Sequence, residues 1–302
     1  MNRVSASIPP VVRALLEGAI DYAGLFPPTE LGMAEAVARY LAYRASPDAW
    51  ALGRFVVPAA RLDELATALP AKPVAGDPLV PLSALIGTGT ADDVDLIERF
   101  NRDCTRIGAR VDSVEAKAVS EGAVRAVLAA VPRRWVRYIE VLPGDGLPAA
   151  LDAVANGGAF AKVRTGGTTP EAIPTPERLI EFLEGAVRRK LAFKATAGLH
   201  HPVRGLHRLM DIPDGPSAVM YGYLNLFTAS SIMWRGGDRS LAREALLESE
   251  LASFTVNGDA LLWHDLRFDG DALTGMRGAF FHGFGSCSFA EPLEELPAWA
   301  GR

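Results

Sequence analysis

The chain has 302 residues, of which 49% are hydrophobic and 22% are charged, with 29 glycines, 21 prolines and two cysteines. These proportions are those of an ordinary folded protein, and they exclude the fibrous, disordered and disulfide-stapled classes. The formal net charge of −5 and the lack of a basic block argue against a nucleic-acid partner, because such a partner needs a phosphate-neutralising surface.

Short β-type runs alternate with longer amphipathic patterns, which is typical of parallel strands joined by helical crossovers. Eight strands are predicted, at residues 18–26, 54–58, 81–87, 109–115, 135–141, 159–165, 191–198 and 279–287. Helices are predicted at residues 61–69, 91–102, 120–131, 147–156 and 176–189. Eight such units predict an α/β fold, a (β/α)8 TIM barrel that takes up residues 1–302 as one domain. The alternative, an open doubly wound sheet, needs a glycine-rich phosphate turn after the first strand, and residues 24–28 do not form one.

One segment breaks the alternation, because residues 204–278 separate the seventh and eighth strands where one helix would suffice. We expect a helical insertion there, with helices at residues 218–235 and 239–254. The first of these is apolar enough to pack against the barrel or against a second subunit, so a homo-oligomer is one expectation.

Residues 1–10 contain no apolar segment of signal-peptide length, and no run of roughly 18 apolar residues lacks a charge. We therefore expect a cytoplasmic protein without a membrane partner. Cys104 and Cys287 lie far apart, with no further thiol at metal-binding spacing, and this predicts two reduced thiols.

In TIM barrels the chemistry lies at the carboxyl ends of the strands, so polar residues that close apolar strands are informative. The candidates, in chain order, are Asp21, Asp112, Glu115, Glu140, Lys162, Arg164, Lys194, Thr196, His200, His201, Gly285, Ser286 and Ser288.

Side-chain alternation places Lys162 and Arg164 on the inner face of the sixth strand, and Lys194 and Thr196 on the inner face of the seventh. Two lysines on neighbouring strands depress each other's pKa in a partly desolvated interior, so a neutral amine becomes available to attack a carbonyl. The alternative is that each lysine forms a structural ion pair with Glu140 or Glu115, or extends to the rim.

On the fourth strand, alternation allows either Asp112 or Glu115 to face inward, and we expect Asp112 inside and Glu115 at the rim. Either carboxylate could act as a general base or proton relay, or could simply neutralise the lysines. The turn with Gly285, Ser286 and Ser288 offers backbone N–H groups and hydroxyls to a phosphate or carboxylate.

His200 and His201, with Glu115 and Glu140, could form a divalent-metal site, although adjacent histidines point apart and no metal ligand is assigned.

These residues carry a resemblance to the deoxyribose-phosphate aldolase family of class I, Schiff-base aldolases. The segments that resemble the family, in the same order, are Ile20-Asp21-Tyr22, Val111-Asp112, Ile139-Glu140, Phe160-Ala161-Lys162, Thr169-Pro170-Glu171 or Thr175-Pro176-Glu177, Phe193-Lys194 with the following Gly198, and Phe284-Gly285-Ser286-Cys287-Ser288. They lie on six of the eight predicted strands. The sequence departs from the family pattern at Arg164, at His200-His201 and in the long insertion.

The resemblance implies that Lys162 forms the imine and that Lys194 lowers its pKa. It further implies Asp112 as a proton relay, Asp21 as a supporting carboxylate, and Ser286 with Ser288 as an anion site. No cofactor is implied. The predicted function is a class I aldolase-like lyase that acts on a small anionic carbonyl substrate, with a phosphate or carboxylate as the anionic group. The alternatives are a metal-dependent lyase or isomerase on the same barrel, and a non-catalytic binding barrel.

Overall fold

The computed structural model describes residues 8–70, 78–87, 90–210, 212 and 214–300. The expectation for residues 1–7 of the N-terminal segment therefore lies outside the described residues. From the start of the described chain to the seventh barrel strand, helices and strands alternate. They are α1 (Pro10–Leu16), β1 (Ile20–Tyr22), α2 (Met33–Arg44), β2 (Leu52–Pro58), α3 (Leu62–Ala68), β3 (Val80–Ile86), α4 (Thr90–Arg102), α5 (Cys104–Ile107), β4 (Ala109–Lys117), α6 (Glu121–Ala130), β5 (Val136–Glu140), α7 (Leu147–Asn156), β6 (Phe160–Arg164), α8 (Pro176–Arg188) and β7 (Phe193–Thr196).

The predicted helices begin where capping residues supply partners for free backbone N–H groups. The Thr175 hydroxyl accepts the N–H of Arg178 at the start of α8, and Pro176 occupies the first turn, where its missing N–H costs nothing. The Ser120 hydroxyl does the same for Ala123 at the start of α6. Before the insertion, the boundaries of the five predicted helices agree with the structure to within one residue, whereas α1, α2 and α5 were not predicted.

The segment after β7 contains helices and also two small antiparallel sheets. Its elements are β8 (Gly205–Arg208), β9 (Ser217–Met220), α9 (Tyr223–Trp234), α10 (Arg239–Leu247), β10 (Phe254–Asn257), β11 (Ala260–Trp263), β12 (Leu266–Asp269) and α11 (Gly270–Ala279). The chain then returns to the barrel with β13 (Phe281–Ser286) and ends in α12 (Glu291–Glu294) and α13 (Leu296–Ala300). β8 pairs with β9, and β10, β11 and β12 form a three-stranded sheet.

Two boundaries predicted in the insertion are wrong. The helix predicted from residue 218 begins at Tyr223, because Ser217–Met220 pair with β8 as strand β9. The helix predicted to reach residue 254 ends at Leu247, where the Asn225 side-chain amide donates hydrogen bonds of 2.8 Å to the carbonyls of Ala245 and Glu248. Both boundaries depend on contacts with residues that are distant in sequence, and the spacing of apolar residues along a helix does not reveal such contacts.

The eight parallel strands β1 to β7 and β13 close into a barrel in the order β1-β13-β7-β6-β5-β4-β3-β2, which confirms the predicted (β/α)8 architecture. All eight predicted strands are present, although β1 is reduced to three residues. The hydrophobic core lies mainly between the barrel and its helices: for example, Phe193 on β7 packs edge-to-face on Phe182 of α8 and stacks on Phe281 of β13.

The apolar helix α9 lies inside this layer. From Tyr223 to Met233 its residues are buried within the single chain, and Phe227 contacts Phe281 with a ring-centroid distance of 4.6 Å. Because these residues are already buried inside one chain, they offer no surface to a second subunit. The expectation that this helix supports a homo-oligomer therefore has no support from its position. In the part of the chain that the structure describes, no helix combines the length and apolar character needed to cross a membrane.

Candidate active site

Two lysines lie side by side inside the barrel. Lys162 on β6 and Lys194 on β7 occupy directly paired positions, and their side chains are 5% and 3% exposed. Phe193 points outward into the helical layer, as alternation along a strand requires. The structure therefore places the lysines together on the inner face, as the sequence pattern predicts.

A single carboxylate joins the two ammonium groups. Glu115 on β4 accepts a hydrogen bond from Lys162 at Oε2 (2.8 Å) and one from Lys194 at Oε1 (2.7 Å). Ser83 on β3 donates its hydroxyl to the same Oε1 at 2.8 Å. Both Glu115 and Ser83 are buried, so this carboxylate is held by three donors away from bulk water.

The predicted arrangement of the carboxylates on β4 is wrong. Glu115 lies inside the barrel rather than at its rim, and Asp112 forms an ion pair with Arg54 near the amino-terminal ends of β4 and β2, where its side chain is 45% exposed. The cause is a register shift in the β3–β4 pairing, in which Leu82 pairs with Val111 but Ser83 pairs with Ser113. Asp112 is the extra residue of this irregularity, so simple alternation does not extend through it.

Asp21 on β1 completes the surroundings of Lys194. Its Oδ2 accepts a short hydrogen bond from the Lys194 ammonium, and its Oδ1 accepts the backbone N–H of Arg54 at 2.6 Å. The close approach depends on Gly53, since a Cβ atom there would lie 2.3 Å from Asp21 Oδ1. Gly53, on the neighbouring strand β2, therefore leaves the space that the Asp21 carboxylate occupies beside Lys194.

Glu140 at the end of β5 completes the surroundings of Lys162. Its Oε2 lies 2.9 Å from Lys162 Nζ, and its Oε1 accepts the Nε–H of Arg164 at 3.1 Å. The interior therefore contains a chain of alternating charges, which we call the lysine network. Its members are Arg164, Glu140, Lys162, Glu115, Lys194 and Asp21.

The network fixes the charge state of its central members. Burial raises the pKa of Glu115, but the ammonium groups of Lys162 and Lys194 outweigh burial and hold this pKa well below its usual range. Burial lowers the pKa of Lys194, whereas Asp21 and Glu115 raise it further, so the net pKa lies above its ordinary value. The resting arrangement is therefore the ion-paired one that the sequence left open as an alternative, and Lys194 keeps its proton.

Polar residues that sequence analysis did not select lie below the network, toward the amino-terminal ends of the strands. The Tyr138 hydroxyl and His282 Nδ1 are hydrogen-bonded at 2.7 Å, and Lys194 Nζ lies 5.3 Å from the Tyr138 ring centroid. Burial lowers the pKa of His282 to about 4, so its imidazole is neutral near pH 7. Tyr138 could have been found, because it shares a face with Glu140 two residues away. His282 precedes Gly283, whose φ of 145° interrupts the alternation.

The backbones of the loops after β6 and β7 are joined by hydrogen bonds and close packing. The Thr165 hydroxyl donates to the carbonyl of Ala197 at 2.5 Å, and the Thr165 N–H donates to the carbonyl of Thr196 at 2.9 Å. Gly166 and Gly198 pack so closely that a Cβ on Gly166 would lie 2.6 Å from the Gly198 Cα. These contacts hold the carboxyl ends of β6 and β7 in fixed relation above the two lysines.

The hydroxyls of Ser286, at the end of β13, and of Ser288, in the following loop, accept backbone N–H groups, and Ser286 Oγ also lies 3.5 Å from His200 Nδ1. Ser286 Oγ accepts the Ser288 N–H at 3.4 Å, and Ser288 Oγ accepts the Glu291 N–H at 3.3 Å. Gly285 lies beside Thr196 and Asp21 in the barrel register. The anion site predicted at this loop stays a prediction.

The two adjacent histidines turn toward the acidic C-terminal helices. His200 Nδ1 lies 2.7 Å from Glu291 Oε2, and His201 Nδ1 lies 2.6 Å from Glu295 Oε1. His201 also stacks on His207, with ring centroids 3.6 Å apart.

The residues considered for a metal are thus divided between two places, because Glu115 and Glu140 face the lysines while His200 and His201 face other carboxylates. Among the described residues, no group of three or more His, Cys, Asp or Glu side chains is arranged to hold a metal ion.

Neither the protein-family models nor the curated proteins that were searched include a match to this chain.

Proposed function

We propose that the chain is a class I, Schiff-base aldolase-like lyase in which Lys162 forms an imine with a small carbonyl substrate. The observation that carries the proposal is the pair of buried lysines at matched positions of β6 and β7, joined by the carboxylate of Glu115 inside a (β/α)8 barrel. A lysine imine is an electron sink for C–C bond cleavage, and the adjacent carboxylates can accept and return protons.

Lys162 is the better nucleophile because of how the carboxylates are distributed. Lys162 shares Glu115 with Lys194 and shares Glu140 with Arg164, so both of its partners divide their charge between two cations. Lys194 has Asp21, which accepts no other side-chain cation among the described contacts. Lys194 therefore stays an ammonium, and Lys162 is the amine that adds to the carbonyl compound.

The reaction can be written with the groups at hand. Lys162 Nζ passes a proton to Glu140, and its lone pair then adds to the carbonyl carbon. The nitrogen and Glu140 each give one proton to the former carbonyl oxygen, which leaves as water, and a protonated imine remains. A carboxylate then removes the proton of a hydroxyl on the β carbon, the bond between the α and β carbons breaks, and its electron pair forms an enamine while an aldehyde departs. Protonation of the enamine carbon and hydrolysis regenerate the amine. Glu115 and Glu140, at 2.8 and 2.9 Å from Lys162 Nζ, are the carboxylates placed for these transfers.

Arg164 defines the substrate class. It donates Nε–H to Glu140, yet its side chain is 43% exposed at the carboxyl end of β6. A guanidinium at the mouth of a barrel is suited to a carboxylate or phosphate, which it binds through paired N–H donors. A small anionic carbonyl compound is therefore the substrate that we propose.

The proposal is tested by the exchange of α hydrogens, which an imine-forming aldolase catalyses without the second substrate. Acetaldehyde, pyruvate, dihydroxyacetone and dihydroxyacetone phosphate are incubated with the protein in deuterated water, and loss of the α-hydrogen signals is followed by proton NMR. We expect exchange with at least one compound, and a loss of at least about a thousandfold in Lys162→Met.

The control is Lys190→Met, which removes an exposed lysine between α8 and β7 and should leave the rate unchanged. Exchange that persists in folded Lys162→Met, or no exchange with any of the four compounds, would contradict the proposed function.

A further inference from the structure

A second group of reactive side chains lies at the carboxyl face of the barrel, outside the lysine network. Cys287 follows the last residue of β13, and its Sγ lies 3.9 Å from His200 Nε2. The other ring nitrogen of His200 lies 2.7 Å from Glu291 Oε2 in α12. A thiol, an imidazole and a carboxylate are thus linked in series, in the order that activates a cysteine nucleophile.

The three residues come from separate parts of the chain and converge through the barrel closure. β13 brings Cys287 next to β7, whose continuing segment carries His200, and α12 folds back to supply Glu291. Gly285, two residues before Cys287, pairs with Asp21 and with Thr196 in the barrel register. The thiol therefore lies on the same face as the carboxyl end of the lysine network.

The surroundings favour charge separation between the thiol and the imidazole. Burial and, to a smaller extent, the charge of Glu291 raise the pKa of Cys287, but hydrogen bonding and charge interaction with His200 lower it below its ordinary value. Burial lowers the pKa of His200, whereas Cys287 and Glu291 raise it to about 10. The Thr29 hydroxyl also stabilises the Cys287 thiolate, and the Tyr22 phenol stays neutral because burial raises its pKa.

Cys287 is a buried residue with a small exposed fraction. Cys287 is 8% exposed, and Glu291 is half exposed at the outer end of the series. Cys104, the other cysteine, lies in a different setting: it is partly exposed, and the Thr105 hydroxyl at 3.9 Å is its hydrogen-bonding neighbour. The chain therefore contains its own control thiol, one without an imidazole partner among the described contacts.

We propose that Cys287, His200 and Glu291 form a second nucleophilic site, which captures an aldehyde as a thiohemiacetal. The sulfur lone pair forms a C–S bond with the carbonyl carbon, and the carbonyl π pair moves to oxygen. That oxygen takes the proton from His200 Nε2, which had received it from the thiol, so the thiol and the aldehyde add without an oxidant or a leaving group. Glu291 keeps the imidazole oriented. The choice of an aldehyde rests on the proposed function, whereas the activated thiol does not.

The activated thiol is tested by the pH dependence of alkylation with iodoacetamide, followed for each cysteine by peptide mass spectrometry. A thiol with a pKa of about 8.5 should react roughly two-hundredfold more slowly at pH 6 than at pH 9, because the thiolate is the reacting form. We expect the ratio of the alkylation rates at pH 9 and pH 6 to be at least about tenfold smaller for Cys287 than for Cys104. In His200→Gln, where burial still raises the pKa of Cys287, the fall in its rate should be at least as large as that at Cys104.

A second variant guards against misfolding of the first. Glu291→Gln changes a half-exposed side chain, and it should move the Cys287 profile in the same direction as His200→Gln by a smaller amount. A Cys287 profile equal to that of Cys104 in the wild-type protein would overturn the proposal, and so would a Cys287 that iodoacetamide does not reach at either pH.

Capture of the aldehyde is tested by protection. Acetaldehyde should slow alkylation of Cys287 but not of Cys104, and it should do so equally in the wild-type protein and in Lys162→Arg, which cannot form the imine. Protection lost in Lys162→Arg would mean that the lysine holds the aldehyde, and no protection in either protein would exclude thiohemiacetal formation. Both outcomes refute the second site, and neither depends on whether α-hydrogen exchange occurs.

Discussion

Glu115 is the residue on which the lysine network depends most, and Glu115→Gln tests this directly. The substitution preserves the size of the side chain and its capacity to accept the Ser83 hydroxyl, but it removes the charge that two buried ammonium groups share. We expect Lys162 and Lys194 to be left with one carboxylate partner each, Glu140 and Asp21.

The expected loss of stability follows from the two contacts. Glu115 lies 2.8 Å from Lys162 Nζ and 2.7 Å from Lys194 Nζ, and Coulomb's law with an effective dielectric constant of about 20 gives about 6 kcal/mol for each contact. The cost of burying the carboxylate, and the partners that the lysines keep, offset much of this sum. Removing one member of a buried ion pair typically costs about 3–5 kcal/mol, and we expect a loss in that range.

The assay is urea denaturation at pH 7 with the free energy of unfolding as the readout. Glu64→Gln, which breaks the exposed pair with Arg61, is the matched control and should have a much smaller effect than Glu115→Gln. Glu115→Gln combined with Lys162→Met should be more stable than Glu115→Gln alone, because Arg164 then pairs with Glu140 and Lys194 with Asp21. A loss below about 1 kcal/mol, or a double variant less stable than the single one, would refute the reasoning.

The pH dependence of this loss has a defined sign. The pKa of Glu115 is lowered on folding, so its contribution is complete above the ordinary value of 4.5 and declines as the pH falls below it. The pKa of Lys194 is raised, so its contribution is complete below 10.5 and declines as the pH rises through the higher folded value. The stability difference between the wild-type protein and Glu115→Gln should therefore be constant from about pH 5 to about pH 10 and should shrink on acidification.

Three further predictions concern the residues around the network. Gly53→Ala should lower the free energy of unfolding by about 1–3 kcal/mol in urea denaturation, because the new Cβ would lie 2.3 Å from Asp21 Oδ1. The control, Gly122→Ala in α6, places its Cβ in open space and should be neutral or stabilising. Equal effects of the two substitutions would contradict this. Arg164→Ala should raise KM for anionic carbonyl substrates by roughly tenfold or more and leave neutral ones unchanged; an equal change for both would exclude anion binding. Asp112→Asn should cost less than about 1 kcal/mol and preserve α-hydrogen exchange, and loss of exchange would restore Asp112 as the proton relay.

The barrel could be predicted from sequence because its signals are local. Each strand is a short apolar run, and α8 begins with a threonine cap followed by a proline, so neighbouring residues alone define the elements. The inward direction of Lys162 and Lys194 could be predicted for the same reason, because the pleat of a regular strand fixes which side chains share a face.

What could not be predicted depends on how strands pair. The register shift between β3 and β4 places Glu115 between the lysines and leaves Asp112 outside the network, and nothing within β4 itself encodes that shift. The raised pKa of Lys194 could not be predicted for a related reason. Alternation along the strands indicates the two neighbouring cations, but Asp21 and Glu115 approach Lys194 from strands that are distant in sequence.

The central claim, that Lys162 is the amine that adds to a carbonyl substrate, is tested most directly by reductive trapping. The protein is treated with sodium borohydride in the presence of each aldehyde or keto acid of a panel, and the modified residue is located by peptide mass mapping. We predict a stable adduct on Lys162, none on the exposed Lys190, and no adduct in Lys162→Arg. An adduct on Lys194 instead, or no adduct with any carbonyl compound that the protein binds, would contradict the account.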